Sequence, residues 1–169
     1  MELADLTPAG SRWVLTYRID LPVNQWDAWI AVTSRDGLGH WFPARIVGEW
    51  AAGRELVYTF PEEPDADPMP GEVVEVETGR FLAFTWDTDT LRIGLDPYEA
   101  GTRLVFAASV DQRGRGAREG AGWHACLAAL RESLGGYVEE EDKDWKSLFA
   151  RYAGKFGAEA ATVLPPKGE

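Results

Sequence analysis

The residues that could do chemistry are few, and most are poorly spaced for it. His124 and Cys126 stand two apart on a helical pattern, so their side chains diverge by about 200° around the helix and cannot pair locally. His124 as a general base needs a partner within hydrogen-bond reach, and no His or carboxylate stands one turn away. A structural role is expected for it and for His40, which sits in a glycine-rich turn. Cys126 reads as a small buried thiol. Two His and one Cys without ligand spacing predict no metal centre, and no cofactor motif is present. Asp87 and Asp89 flank a hairpin turn, where Asp serves the backbone. Arg113, Arg115 and Arg118 precede a helix in an acidic chain. They read as solvated loop charges, with an acidic ligand head group as the alternative. No catalytic set is predicted.

The aromatics are the stronger signal. Eight Trp in 169 residues either pack a bulky core or line a site for apolar ligands. The candidate lining is Trp26, Trp41, Trp50, Tyr58, Phe60, Trp86, Ile93, Phe106, Trp123, Leu127 and Leu130. The competing reading is that these side chains simply fill the interior. Tyr17, Tyr58 and His124 are the few polar groups predicted to face inward.

The elements that must position these residues follow from periodicity. Alternation predicts strands over 12–20, 44–50, 55–60, 72–78, 80–86, 90–96 and 102–111, separated by Gly, Pro and Asp punctuation. Val74 and Val76 are placed inward on the fourth of these. The stretch 61–70, with four Pro, reads as a solvated loop. Pro22, Trp26, Trp29 and Ile30 predict a first short helix, and Leu38, Trp41 and Phe42 a second. Trp123, Leu127, Leu130, Leu134 and Tyr137 or Val138 form the stripe of a long helix after a glycine-rich lead over 113–122. Trp145, Leu148, Phe149, Tyr152 and Phe156 form a second amphipathic segment. Its aromatic face must be covered by its own domain or by a second copy of the chain.

The length suits one domain. The expected organisation is a flexible start over 1–11, an α+β domain over 12–138, an acidic hinge and tail helix over 139–158, and a frayed end over 159–169. Hydrophobic residues at 45% and charged residues at 27% are ordinary globular usage. A net charge of −11, from 28 acids against 17 bases, repels phosphate backbones and anionic membranes, which argues against nucleic-acid binding. The absence of a long apolar run argues against membrane insertion, and the acidic start with a lone cysteine suits a cytoplasmic protein.

The order of these elements resembles the START-like helix-grip superfamily, also called SRPBCC. Ile19-Asp-Leu-Pro22 with the Trp26-Asp-Ala-Trp29 helix, Gly37-Leu-Gly-His-Trp-Phe42, Leu82-Ala-Phe-Thr-Trp86, Gly101-Thr-Arg-Leu104 and Gly120-Ala-Gly-Trp-His124 resemble motifs of homologues of the heat-shock chaperone ATPase activator. The resemblance implies a curved seven-stranded antiparallel sheet gripping a long C-terminal helix around an apolar cavity. It implies binding or carriage of an apolar or aromatic small molecule there, as relatives do with lipids, polyketides and hormones. A chaperone- or stress-related protein-interaction module is the alternative, and a cavity-based cyclase, hydratase or dehydratase the third reading.

Overall fold

A computed structural model describes residues 1–164. The chain runs β1 (Asp5–Ala9), β2 (Arg12–Leu21), α1 (Gln25–Thr33), α2 (Arg35–Gly39), β3 (Arg45–Val47), β4 (Glu55–Thr59), β5 (Met69–Glu77), β6 (Phe81–Trp86), β7 (Asp89–Tyr98), β8 (Gly101–Val110), α3 (Gly116–Ser133) and α4 (Trp145–Phe156). All strands join one antiparallel sheet in the order β1-β2-β8-β7-β6-β5-β4-β3. The central strands alternate strictly between buried and outward residues, so Leu15, Tyr17, Ile19, Leu91, Ile93, Leu95, Leu104, Phe106 and Ala108 share one face. Across that face lies α3, with Trp123, Leu127 and Leu130 buried against it.

The sheet has eight strands rather than the expected seven. The addition is β1, in the stretch expected to be flexible. Its Thr7-Pro8 text reads as coil because proline cannot donate to a ladder, but β1 is an edge strand, and there a proline costs nothing. The expected strand over 44–50 shortens to β3 because the backbone turns at Gly48, where φ is 147° and a Cβ would lie 2.7 Å from the carbonyl oxygen of Glu55. Strand β5 starts at Met69, so Met69 and Pro70, predicted as loop, pair with Tyr58 and Val57. A register shift between Val73 and Glu75 then inverts the alternation. Val73 is fully buried and Val74, predicted inward, is 47% exposed.

The helices differ at their ends. α1 is capped by Asn24, whose side chain accepts from the Asp27 N–H at 2.9 Å, so Pro22 lies before the helix. The glycine-rich lead, expected as loop, is a 3-10 turn over Arg113–Arg115 followed by the first turns of α3. Two of its glycines allow close packing, since a Cβ on Gly116 would meet Leu6 at 2.7 Å and one on Gly120 the Tyr152 ring at 3.0 Å. α3 stops at Ser133, short of Tyr137 and Val138, and Gly135 adopts a φ of 83° just beyond it.

Helix α4 lies on the outer face of α3, within the same chain, with Leu148 and Tyr152 fully buried. The segment after it, expected to fray from 159, packs as well. Ala160 is fully buried, and the Val163 N–H donates to the carbonyl of Gly114. Residues 165–169 of that expected frayed end lie outside the described residues.

Candidate functional site: an aromatic interior and the concavity beside it

Phe42 is the hub of the grip. The turn after α2 holds it through the Phe42 N–H, which donates to Leu38 at 2.9 Å. Its ring centroid lies 5.2 Å from Trp86, 5.8 Å from Trp123, 6.0 Å from Phe84 and 6.3 Å from Tyr58. Trp86 in turn meets Tyr58 at 4.9 Å, Trp123 at 6.1 Å and Phe60 at 6.3 Å, and Trp123 meets Phe106 at 5.0 Å. These edge-to-face and tilted contacts are the geometry that aromatic quadrupoles favour. Strands β4, β5, β6 and β8, the α2–β3 turn and α3 each bring a side to this cluster. Tyr58 lies across Gly71, where a Cβ would meet its ring at 2.5 Å, and its hydroxyl donates to the carbonyl of Thr85. The centre of the grip is thus filled by rings.

Most of the predicted lining residues meet here. Trp41, Tyr58, Ile93, Phe106, Trp123, Leu127 and Leu130 are buried in the core, and Trp50, Phe60 and Trp86 are half-buried at its margin. Trp41 and Trp50 are held by their indole N–H groups, which donate to Ala31 and Thr33 at the end of α1, at 3.1 and 2.7 Å. Trp26 is elsewhere: it projects outward from α1 and is 56% exposed. Its helical spacing with Trp29 was legible, but the face it would take was not.

A concavity of about 360 Å³ reaches the cluster from outside. Phe42 and Leu38 form its floor, Ile46 and Pro61 its sides, and Arg35, Arg45 and Glu62 its polar rim. The volume is at the lower end of what small-molecule sites use. Leu38 and Phe42 of this set stood in the Gly37-to-Phe42 motif of the second short helix, though neither was named as lining. The arginines carried no signal, because α2 and β3 place residues 35 and 45 together only through the turn.

The ionisable groups expected near the cavity are engaged elsewhere. Tyr17 donates to the Gly120 carbonyl at 2.7 Å. His124 is fully buried on the α4 side of α3, where Nδ1 is 2.8 Å from the Tyr152 hydroxyl and Nε2 3.1 Å from Asp142. The Tyr152 oxygen also accepts from the Ala4 N–H at 3.0 Å, and Asp142 accepts from Arg151 at 3.0 Å and from the Met1 amino group. These partners assign the tautomer: Nε2–H donates to Asp142 and Nδ1 accepts from the Tyr152 hydroxyl. Burial pushes the His124 pKa down to about 4, against the pull of Asp142, so the ring is neutral. The partners stand 18 and 28 residues downstream, beyond any local spacing argument. Burial also pushes the Cys126 thiol up to about 12, which leaves it inert at neutral pH.

Arg113, Arg115 and Arg118 are half-buried and each lies beside a carboxylate. Arg115 bonds Asp89, Asp111 and Glu119 at 2.8, 2.9 and 3.2 Å, Arg113 pairs with Glu159, and Arg118 lies 3.9 Å from Glu119. Asp89, buried beneath Arg12 and Arg115, pins the β6–β7 turn, in which Asp87 takes a φ of 53°. Among the described residues no three His, Cys, Asp or Glu side chains converge as metal ligands, and no helix is long and apolar enough to cross a membrane.

An open antiparallel sheet closed by a long helix, with aromatic side chains between them, is the START-like helix-grip architecture. A family model described as "Activator of Hsp90 ATPase homolog 1-like protein" matches residues 22–135, and the chain belongs to that family. No curated protein sequence matches the chain significantly. Solved structures share the fold. A conserved protein of unknown function from Enterococcus faecalis is 19% identical, with a TM-score of 0.73 over 90% of this chain and 89% of that one. CalU16 from Micromonospora echinospora is 15% identical, with a TM-score of 0.70 over 90% and 96%. The Aha1 dimer from Colwellia psychrerythraea is 19% identical, with a TM-score of 0.59 over 72% and 95%.

Proposed function

We propose that this protein binds an apolar, aromatic small molecule through the α2–β3 mouth, with the molecule stacking on Phe42 and reaching toward Trp86 and Trp123. The observation that carries this reading is the continuity of the mouth with the ring cluster: Phe42 is at once the floor of the concavity and the neighbour of Trp86. An aromatic ligand replaces ring–ring contacts with equivalent ones when Trp86, already half-buried, moves aside. Binding is favoured over chemistry because the polar groups a cyclase or hydratase would draw on are committed to protein partners, Tyr17 and His124 at α3 and α4 and Tyr58 at the Thr85 carbonyl.

The test is a tryptophan fluorescence titration against a panel of flavonoids, sterols and fatty acids. Saturable quenching by aromatic members is expected, and Trp86→Ala lowers that affinity by about tenfold or more. Absence of saturable quenching across the panel would overturn the reading.

A second reading, self-association or docking to a chaperone, is favoured by the family description and by the dimer of the Colwellia relative. Its surface is the outer face of α1, where Trp26 and Ile30 are exposed side by side at one-turn spacing. Size-exclusion chromatography of the purified chain against Trp26→Ser tests it, since a dimer built on this face shifts to monomer in the variant.

A further inference from the structure

We infer that the mouth selects an anionic aromatic molecule, one whose ring lies on Phe42 and whose carboxylate, sulfonate or phenolate is held by Arg35 and Arg45. This rests on the small-molecule reading and narrows it to a chemical class.

An arginine without a carboxylate partner stands out in so acidic a protein. With 28 carboxylate residues against 17 bases, a guanidinium has partners available almost everywhere. Arg12, Arg18, Arg54, Arg80, Arg103, Arg113, Arg115, Arg118 and Arg151 all lie within 4 Å of one. Among the described residues, Arg35, Arg45, Arg92 and Arg131 make no ion pair. Two of these four border the same concavity.

The fold puts them there by a short reversal. Ser34 caps α2 by accepting from the Gly37 N–H at 3.0 Å, which starts the helix at Arg35. Five residues later α2 ends, and the Phe42-Pro43-Ala44 turn delivers Arg45 at the head of β3. Arg45 pairs across the ladder with Thr59, a neutral residue that offers no counter-ion. Glu62 is the single carboxylate in the lining, so the mouth carries a net charge of about one positive in a chain of net −11. Arg35 also borders a neighbouring concavity with Asp36 and His40.

The rest of the lining is apolar in residue type, Leu38, Phe42, Ile46 and Pro61 among it. A cation beside an apolar floor matches a ligand that is a flat hydrocarbon with one acidic group. A guanidinium accepts a carboxylate or sulfonate through two parallel hydrogen bonds, and partial enclosure strengthens them. A neutral sterol meets the same floor without using the charges.

Two fluorescent probes separate the terms. Anilinonaphthalene sulfonate and phenylnaphthylamine share their rings and differ by the sulfonate. The wild-type protein is expected to bind the sulfonate about tenfold more tightly, the equivalent of one good charge-assisted contact. Arg35→Gln with Arg45→Gln abolishes that preference and leaves phenylnaphthylamine affinity unchanged, and Arg92→Gln changes neither. Both mouth arginines are exposed, so circular dichroism should report an intact fold in the double variant. Equal wild-type affinity for the two probes, or an equal drop for both in the double variant, overturns the charge selection while the small-molecule reading stands. Failure of both probes to bind removes the two readings together.

Discussion

His124 shows how a single side chain ties pH to stability. The unfolded chain carries this imidazole near its ordinary pKa of about 6.5, whereas the folded protein holds it at about 4. Between those values the unfolded state takes up a proton that the folded state refuses. Stability is therefore complete above about pH 6.5 and is lost as pH falls toward 4, by about 3 kcal/mol for this group. Asp142 contributes in the same direction only at more acidic pH. Burial raises its pKa, but hydrogen bonds from the Met1 amino group and Arg151 outweigh that and hold its carboxyl below the ordinary range. His124→Gln keeps a donor for Asp142 without titrating. Urea unfolding at pH 7 and pH 4.5 should show a clear loss of stability for the wild type and a markedly smaller loss for the variant. Groups common to both proteins cancel in that comparison, so identical losses would show that His124 is not the sensor.

At the scale of elements, the tail helix is as much a part of the domain as the grip helix. α3 carries Ala117, Gly120, Ala121, His124 and Ala128 as buried residues, a surface of small side chains around one imidazole, with Gly120 and His124 against Tyr152 of α4. Leu148 and Tyr152 of α4 cover it, and Trp145 stacks on Phe149 at 5.2 Å beside them. Each large side chain so buried contributes about 1.5–3 kcal/mol. Both His124 partners, Asp142 and Tyr152, also come from the tail. A chain ending at Glu140 should therefore lose at least about 5 kcal/mol, a large share of a domain's usual stability. Thermal unfolding by circular dichroism and gel filtration will report this as a lowered or absent transition with aggregation. A shortened chain that stays monomeric and equally stable would contradict it. The aromatic stripe of α4 was legible in its three- and four-residue spacing, as were the meander strands in their alternation. The helix under α4 was half-hidden, because Gly114, Gly116, Gly120 and Gly122 read as loop punctuation. Two of them, Gly116 and Gly120, instead admit Leu6 and Tyr152. The Val73–Glu75 bulge was invisible for a related reason: Val73 and Val74 are adjacent and equally apolar, and only pairing with β6 decides which of them faces inward.

For the whole molecule, length led to the expectation of one domain, and the order of the motifs anticipated the grip. What neither reached was the meeting of the two ends of the chain. Ala4 donates to Tyr152 across 148 residues, and Lys155 reaches Leu3 and Asp5 across comparable distances. Such contacts have consequences for the order of events when the chain folds. Hairpins β5–β6, β6–β7 and β7–β8 close short loops, whereas this seam closes almost the entire polypeptide and is rewarded only after the sheet exists. The seam should therefore be absent from the folding transition state. Tyr152→Phe, which removes the hydroxyl between Ala4 and His124, is expected to speed unfolding several-fold and leave the refolding rate nearly unchanged. Stopped-flow refolding and unfolding across a urea series would show one shifted limb and one fixed limb. The seam that binds the ends would then act as the latch that sets the native lifetime, last to close and first to open.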